Sequence, residues 1–177
     1  AIAHNNLGLI FQELNEPKKA ISCFQKAIEI NPNYAIAHNN LGLIFQELNE
    51  PKKAISCYQK VIEINPNFVH AYNNFGSLFQ ELNEPKKAIS YYQKAIEINP
   101  NYAIAHNNLG IILGVLDHVN EAKKCFEKSL SLDPNREKTY ESYGELLLKL
   151  NQHSKALAYL RKGIGIVEFT QKDFEII

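Results

Sequence analysis

Two trios of side chains have the chemistry to bind a metal or attack a substrate: His4, His38 and His106, and Cys23, Cys57 and Cys125. Successive members of each trio are 34 and then 68 residues apart. A zinc ion needs its ligands about 2 Å from one centre. Residues that recur once per 34-residue block and stack in successive layers cannot meet that demand. The histidine position is filled by Tyr72 and Tyr140 in other blocks, so it reads as a packing aromatic with a polar edge. The cysteine position is filled by Tyr91 in the third block. Neighbouring helical layers lie about 8–10 Å apart, whereas a disulfide needs Cα atoms within about 7 Å. The cysteines are therefore expected as free thiols on half-buried helix faces, in a reducing, cytoplasmic compartment. No Gly-rich phosphate loop, GxSxG or HExxH occurs, and no cofactor, metal or catalytic residue is expected.

A second set is chemically quieter and harder to explain away. Asn5-Asn6 recurs as Asn39-Asn40, Asn73-Asn74 and Asn107-Asn108. Asparagine competes for backbone hydrogen bonds and is a mediocre helix former. Four such pairs inside helices carry a cost with no local return. An amide offers both a donor and an acceptor, so the pairs are suited to recognition or to bonding between layers.

The elements that position these residues follow from one repeat. Ala35 to Phe68 is nearly a copy of Ala1 to Tyr34, differing only at Phe24/Tyr58, Ala27/Val61 and Tyr34/Phe68. The period continues through 69–102, 103–136 and, most loosely, 137–170. Within one block, Ala3, Leu7, Ile10, Phe11 and Leu14 make one helical stripe. Asn15-Glu16-Pro17 ends that helix and opens another, since Pro is welcome in a first helical turn and Asn tolerates the left-handed conformation of a tight ending. Ala20, Ile21, Phe24, Ala27 and Ile28 form the stripe of the second helix, which stops at Asn31-Pro32-Asn33. Each block is thus a short antiparallel helix pair that must stack on its neighbour to cover its apolar face. Gly8 recurs as Gly42, Gly76, Gly110 and Gly144. A mid-helix Gly costs about 1 kcal/mol against Ala, so the recurrence predicts a close helix approach, with Ala20 and its counterparts as the facing small residues.

Lys+Arg and Asp+Glu both number 19. No basic patch accumulates, which argues against a nucleic-acid partner. No apolar run approaches the ~20 residues of a membrane span, so no membrane partner is expected. The chain lacks Met and opens inside a repeat without a leader pattern, which suggests a segment of a longer protein.

The chain resembles the tetratricopeptide repeat (TPR) family. Its pattern is carried by His4, Leu7, Gly8, Phe11, Ala20, Phe24, Ala27 and Pro32, and again by Tyr72, Phe75, Gly76, Phe79, Ala88, Tyr92, Ala95 and Pro100. Departures grow toward the end, with Leu113, Ser129, Leu147, Leu160, Gly163 and Glu168. The resemblance implies an all-α fold, a right-handed superhelical solenoid of five helix-turn-helix repeats (1–34, 35–68, 69–102, 103–136, 137–170). Residues 171–177 follow as a capping segment or the start of a further domain. Ile166, Val167, Phe169 and Thr170 are strand formers, so the last helix should end near Arg161 to Gly163.

In the family, the first helix of each repeat lines a concave groove. The resemblance therefore places Asn5, Asn6, Asn39, Asn40, Asn73, Asn74, Asn107 and Asn108, with Gln12, Gln46 and Gln80, as peptide-binding residues. Asn6, Asn40, Asn74 and Asn108 would form a ladder along an extended peptide; a role in holding adjacent helices together is the alternative. The Ala-His-x-Asn-Leu wording is similar to that of the peptide-binding arrays of O-linked N-acetylglucosamine transferases. The groove positions hold Asn, Leu9, Gln12 and Glu13 where a carboxylate clamp needs Lys or Arg. The expected function is binding of a partner protein or extended peptide. The alternatives are a substrate-recruiting arm of a larger enzyme such as a glycosyltransferase, or an end-to-end scaffold that self-associates through an uncapped first repeat. Phe169, Phe174, Ile176 and Ile177 are expected to cover the other end.

Overall fold

The computed structural model describes residues 1–165 and the backbone of 167–169 and 174–176. Ten helices run as five consecutive antiparallel pairs: α1 (Ile2–Glu13) with α2 (Pro17–Ile30), α3 (Ala35–Glu47) with α4 (Pro51–Ile64), α5 (Val69–Glu81) with α6 (Pro85–Ile98), α7 (Ala103–Val115) with α8 (Val119–Leu132), and α9 (Glu137–Lys149) with α10 (His153–Gly163). Two short strands follow, β1 (Val167–Phe169) and β2 (Phe174–Ile176), paired antiparallel with Val167 opposite Ile176 and Phe169 opposite Phe174. The strand-forming run after Gly163 thus becomes a ribbon rather than more helix. The expected covering role of Phe169, Phe174, Ile176 and Ile177 lies outside the described residues.

The chain divides into two compact units, Ala1–Ile98 and Asn99–Ile177. In the first, α1, α3 and α5 pack in sequence as one layer, while α2 and α4 each pack on the following hairpin. In the second, α7 packs on α9 and α8 fills in beside it.

The turn inside every hairpin has one chemistry. Asn15, Asn49, Asn83, Asp117 and Asn151 all have φ between 55° and 61°. Asn15 N–H bonds Gln12 C=O at 2.9 Å and Glu16 N–H bonds Phe11 C=O at 2.8 Å. This paired pattern satisfies the last carbonyls of the helix. Pro17, Pro51 and Pro85 then occupy the first helical turn, where no amide bond is lost. Lys19, Lys53 and Lys87 reach back over the Phe11, Phe45 and Phe79 rings at 5.3, 5.1 and 4.9 Å. Between hairpins, Asn31, Asn65 and Asn99 side chains accept the backbone N–H two residues on at 3.0–3.1 Å, closing the Asn-Pro-Asn turns.

The recurring Gly is explained by a contact different from the expected Gly–Ala pair. A Cβ on Gly8 would lie 2.5 Å from the Phe24 ring, and one on Gly42 2.6 Å from the Tyr58 ring. Gly76 faces Tyr92 and Gly110 faces Phe126 in the same way. Those rings are at most 1 % exposed and have nowhere to retreat. Ala20, Ala54, Ala88 and Ala122 are fully buried, but of the five recurring glycines only Gly144 has the Ala of its own hairpin, Ala156, among its nearest atoms. In the third hairpin Tyr91 replaces the usual Cys and stacks on Phe75 and Phe79, with ring centroids 4.6 and 5.4 Å apart.

Gly76→Leu is expected to destabilise by about 1–3 kcal/mol, because it overpacks a contact with no free volume. Glu63→Leu, on the solvated face of α4 beside Lys60, should change stability by less than about 0.5 kcal/mol. Thermal denaturation of both variants decides the point; equal melting temperatures would contradict the ring-on-glycine account.

Candidate functional site

In the first unit the asparagines form rungs between hairpins. Asn40 Nδ2 donates to Asn5 Oδ1 at 3.0 Å, and Asn74 Nδ2 donates to Asn39 Oδ1 at 3.0 Å. Asn5, Asn39 and Asn73 are 3–7 % exposed. Sequence reasoning assigned both members of each pair to the groove; the structure buries the first member within the stack. The second member changes along the chain: Asn6 is exposed, Asn40 buried, Asn74 half-buried.

A second row of amides runs parallel to the first. Gln12 Nε2 donates to Glu47 Oε1 at 3.1 Å and Gln46 Nε2 to Glu81 Oε1 at 2.6 Å. Tyr58 and Tyr92, the rings that seat on Gly42 and Gly76, donate their hydroxyls to Gln46 Oε1 at 2.9 Å and Gln80 Oε1 at 3.0 Å. Burial raises both phenols above the ordinary tyrosine range, so they stay protonated donors. The glutamine rows thus fix themselves to the core from below and to the next hairpin sideways. Leu9, Leu43 and Ser77 lie between the two rows.

The second unit breaks both rows. Asn107 is 1 % exposed and donates to Asn108 Oδ1 at 3.2 Å, while its own Oδ1 is buried without a partner. Its would-be donor one repeat on is Ser142, whose hydroxyl bonds back to Lys138 C=O at 2.9 Å. The glutamine row ends too, since Gly114 and Val115 stand where earlier repeats have Gln and Glu. Lys149 spans this step instead, reaching Gly114 C=O at 3.3 Å and Asp117 at 2.7 Å. That bond holds the Asp117 carboxyl below its usual range. Deeper in, Ser129 Oγ donates to Ala103 C=O at 2.9 Å and lies 3.0 Å from Thr139 Oγ1. Two hydroxyls thereby stand where earlier repeats have small apolar residues; Ser129 is among the departures noted in the sequence, and Thr139 is its unexpected partner.

His38, His106 and the cysteines are structural. His38 and His106 donate through Nε2 to Pro32 and Pro100 C=O, both at 2.9 Å, tying each first helix to the preceding turn. A carbonyl only accepts, so the proton is on Nε2. The cysteines are free; burial pushes the Cys57 thiol up to about 11 and raises Cys125 as well. Cys57 and Cys125 are neutral packing groups rather than nucleophiles. No helix of the described residues is long and apolar enough to cross a membrane.

Stacked helix hairpins with a Gly-aromatic seat, a left-handed Asn turn and amide rungs at one-repeat intervals define an all-α helical-repeat protein. Tetratricopeptide repeat models match residues 1–34, 35–68, 69–102, 91–124 and 137–166. The chain belongs to the tetratricopeptide repeat family. Among solved structures it is similar to PilF of Pseudomonas aeruginosa at 28 % identity and TM-score 0.81, covering 91 % of this chain and 75 % of that one. It is similar to MamA at 25 % identity and TM-score 0.71, covering 88 % and 91 %. It is also similar to YrrB, a TPR protein described as having an unusual peptide-binding site, at 25 % identity and TM-score 0.65, covering 93 % and 84 %. No curated relative matches the sequence. The repeat array is a protein-interaction module and carries no enzyme chemistry of its own.

Asn40→Ala strands the buried Asn5 carbonyl and should cost about 1–3 kcal/mol, whereas Asn6→Ala, at an exposed position, should be nearly silent. Ser142→Asn should supply the missing donor to Asn107. A gain of about 1 kcal/mol would raise the melting temperature by about 2–4 °C. A lower melting temperature for Ser142→Asn would show that the orphaned carbonyl is not what weakens this step.

Proposed function

We propose that the chain binds an extended segment of a partner protein along the face made by its first helices. The observation that carries this reading is the double row of amides in the first unit, Asn40 and Asn74 beside Gln12, Gln46 and Gln80, with Leu9 and Leu43 between. An extended peptide presents alternating N–H and C=O groups, and amides match both whatever the side chains are. The rungs use one of the two amide hydrogens of Asn74, so bonding between hairpins and bonding to a peptide are compatible roles. The rungs also hold the amides still, which lowers the ordering cost of binding. Likeness to YrrB supports a peptide as the ligand class.

The test is to select short unstructured peptides from a displayed library and titrate them, fluorescein-labelled, by anisotropy. Gln12→Ala with Gln46→Ala should weaken binding by about 1–3 kcal/mol. Lys26→Ala with Lys60→Ala, on the second helices, should leave it unchanged. Equal losses from both pairs would remove the first-helix face from the account.

A specific observation favours self-association as a second activity. On α1, Leu7 and Ile10 are 40 % and 51 % exposed, whereas their counterparts Leu41 and Ile44 on α3 are 7 % and 1 % exposed under the first repeat. An apolar face of this kind marks an interaction site. Leu7→Glu with Ile10→Glu is expected to abolish concentration-dependent association in sedimentation velocity; a wild type that sediments as a monomer at every concentration would exclude it.

A further inference from the structure

The break in the glutamine row opens a site with its own chemistry. Gly114 and Val115 replace a long amide and a long carboxylate at adjacent positions of α7. Where those side chains would lie there is an open cavity of about 310 Å³ between α7 and α9. This is at the small end for ligand pockets and suits one bulky side chain rather than a whole small molecule. Its floor is apolar, formed by Ile111, Val115, Phe126 and Leu146. The floor is also rigid: Phe126 is 1 % exposed, seated against Gly110 and stacked on Tyr143 with ring centroids 5.3 Å apart.

The rim comes from one face of α9, with Lys138, Glu145 and Lys149 separated by seven and four residues. Both lysines are already paired, Lys138 with Glu141 at 2.9 Å and Lys149 with Asp117 at 2.7 Å. Glu145 is exposed, and its carboxylate is the rim charge for which the described residues show no ion pair. The electrostatic complement of this rim is therefore a cation beside an apolar group.

We infer that this cavity is a specificity pocket that takes a bulky aliphatic or aromatic side chain of the bound segment, with a neighbouring lysine or arginine of that segment held by Glu145. The inference rests on the peptide-binding reading above and adds sequence preference to it. In the first unit the amide rows contact only peptide backbone and accept any sequence. In the second, loss of the amide rung exchanges backbone bonding for a side-chain pocket. The site is preformed, since Phe126 and Leu146 of its floor are buried core residues and Lys149 braces the Gly114 carbonyl across the opening.

The test uses three fluorescein-labelled extended peptides of one serine-rich background, carrying Phe-Arg, Phe-Glu or Ser-Arg at the centre. Phe-Arg should bind about tenfold tighter or more than Ser-Arg, the effect of burying one aromatic side chain, and tighter than Phe-Glu. Glu145→Lys should invert the order of Phe-Arg and Phe-Glu. Gly114→Gln restores a long side chain where an added Cβ would lie 3.3 Å from Leu146 Cδ1, and should bring Phe-Arg down to the level of Ser-Arg. Val115→Glu, at a position 66 % exposed, should do the same without stressing the core. If the three peptides bind alike, or Phe-Arg keeps its advantage in both Gly114→Gln and Val115→Glu, the pocket is overturned while backbone binding stands. If none of the three binds, both readings fail together.

Discussion

Four of the five hairpins are held by one steric constraint: an aromatic ring of the second helix lies on a glycine of the first, a place that Leu160 takes on Gly144 in the fifth. The missing Cβ lets the two helices close until the ring touches backbone, and the ring is then buried almost completely. Dispersion and apolar burial make this contact the largest local term. They offset the helix propensity that each glycine costs, about 1 kcal/mol. The position of the ring decides more than packing. Tyr58 and Tyr92 end in hydroxyls that reach the glutamines of their own first helices. Phe24 and Phe126, with the same seat and no hydroxyl, leave that hydrogen bond out. A core side chain therefore sets whether a groove amide is braced.

The amide rungs show how one residue type can serve two ends. An unpaired amide inside the stack would cost about 1–3 kcal/mol. Pairing Asn5 with Asn40 and Asn39 with Asn74 removes that cost and, beside the Gln–Glu bonds, ties each hairpin to the next. Because a rung needs the donor of one repeat and the acceptor of the last, a substitution on either side strands the other. Asn107 is the instance: it keeps its burial while Ser142 turns its hydroxyl back to its own helix.

Much of this was legible in the residues. The 34-residue period, the Asn-Glu-Pro turn and the Asn-Pro-Asn stop dictate hairpins, because proline and left-handed Asn act locally. The helix ending at Gly163 was readable for the same reason. The partner of each recurring glycine was not, because a stripe of residues says which face is buried but not which side chain meets which across it. Gly8 and Ala20 are both small and both inward, yet the contact is Gly8 with Phe24. The fate of the asparagines was hidden too. Asn5 and Asn6 are adjacent in sequence and alike in chemistry. Only the direction of each side chain around the helix separates the acceptor of one rung from the donor of another. The cavity at Gly114 had a visible signal, Gln-Glu becoming Gly-Val, but its consequence depends on what α9 places opposite.

Where the repeats are nearly identical, as in the first two, their surfaces offer the same groups at each step. A periodic surface of that kind suits a periodic ligand, and the peptide backbone is the one periodic feature every extended chain has. Divergence of the fourth and fifth repeats removes the period and with it that generality. Ser129 with Thr139 and Lys149 with Asp117 re-bond the step by other means, so the loss of amide rungs does not leave the hairpins unlinked. Stability and recognition are thereby uncoupled at this step: hydroxyls and an ion pair hold the helices, and the space vacated by Gln and Glu is free to select.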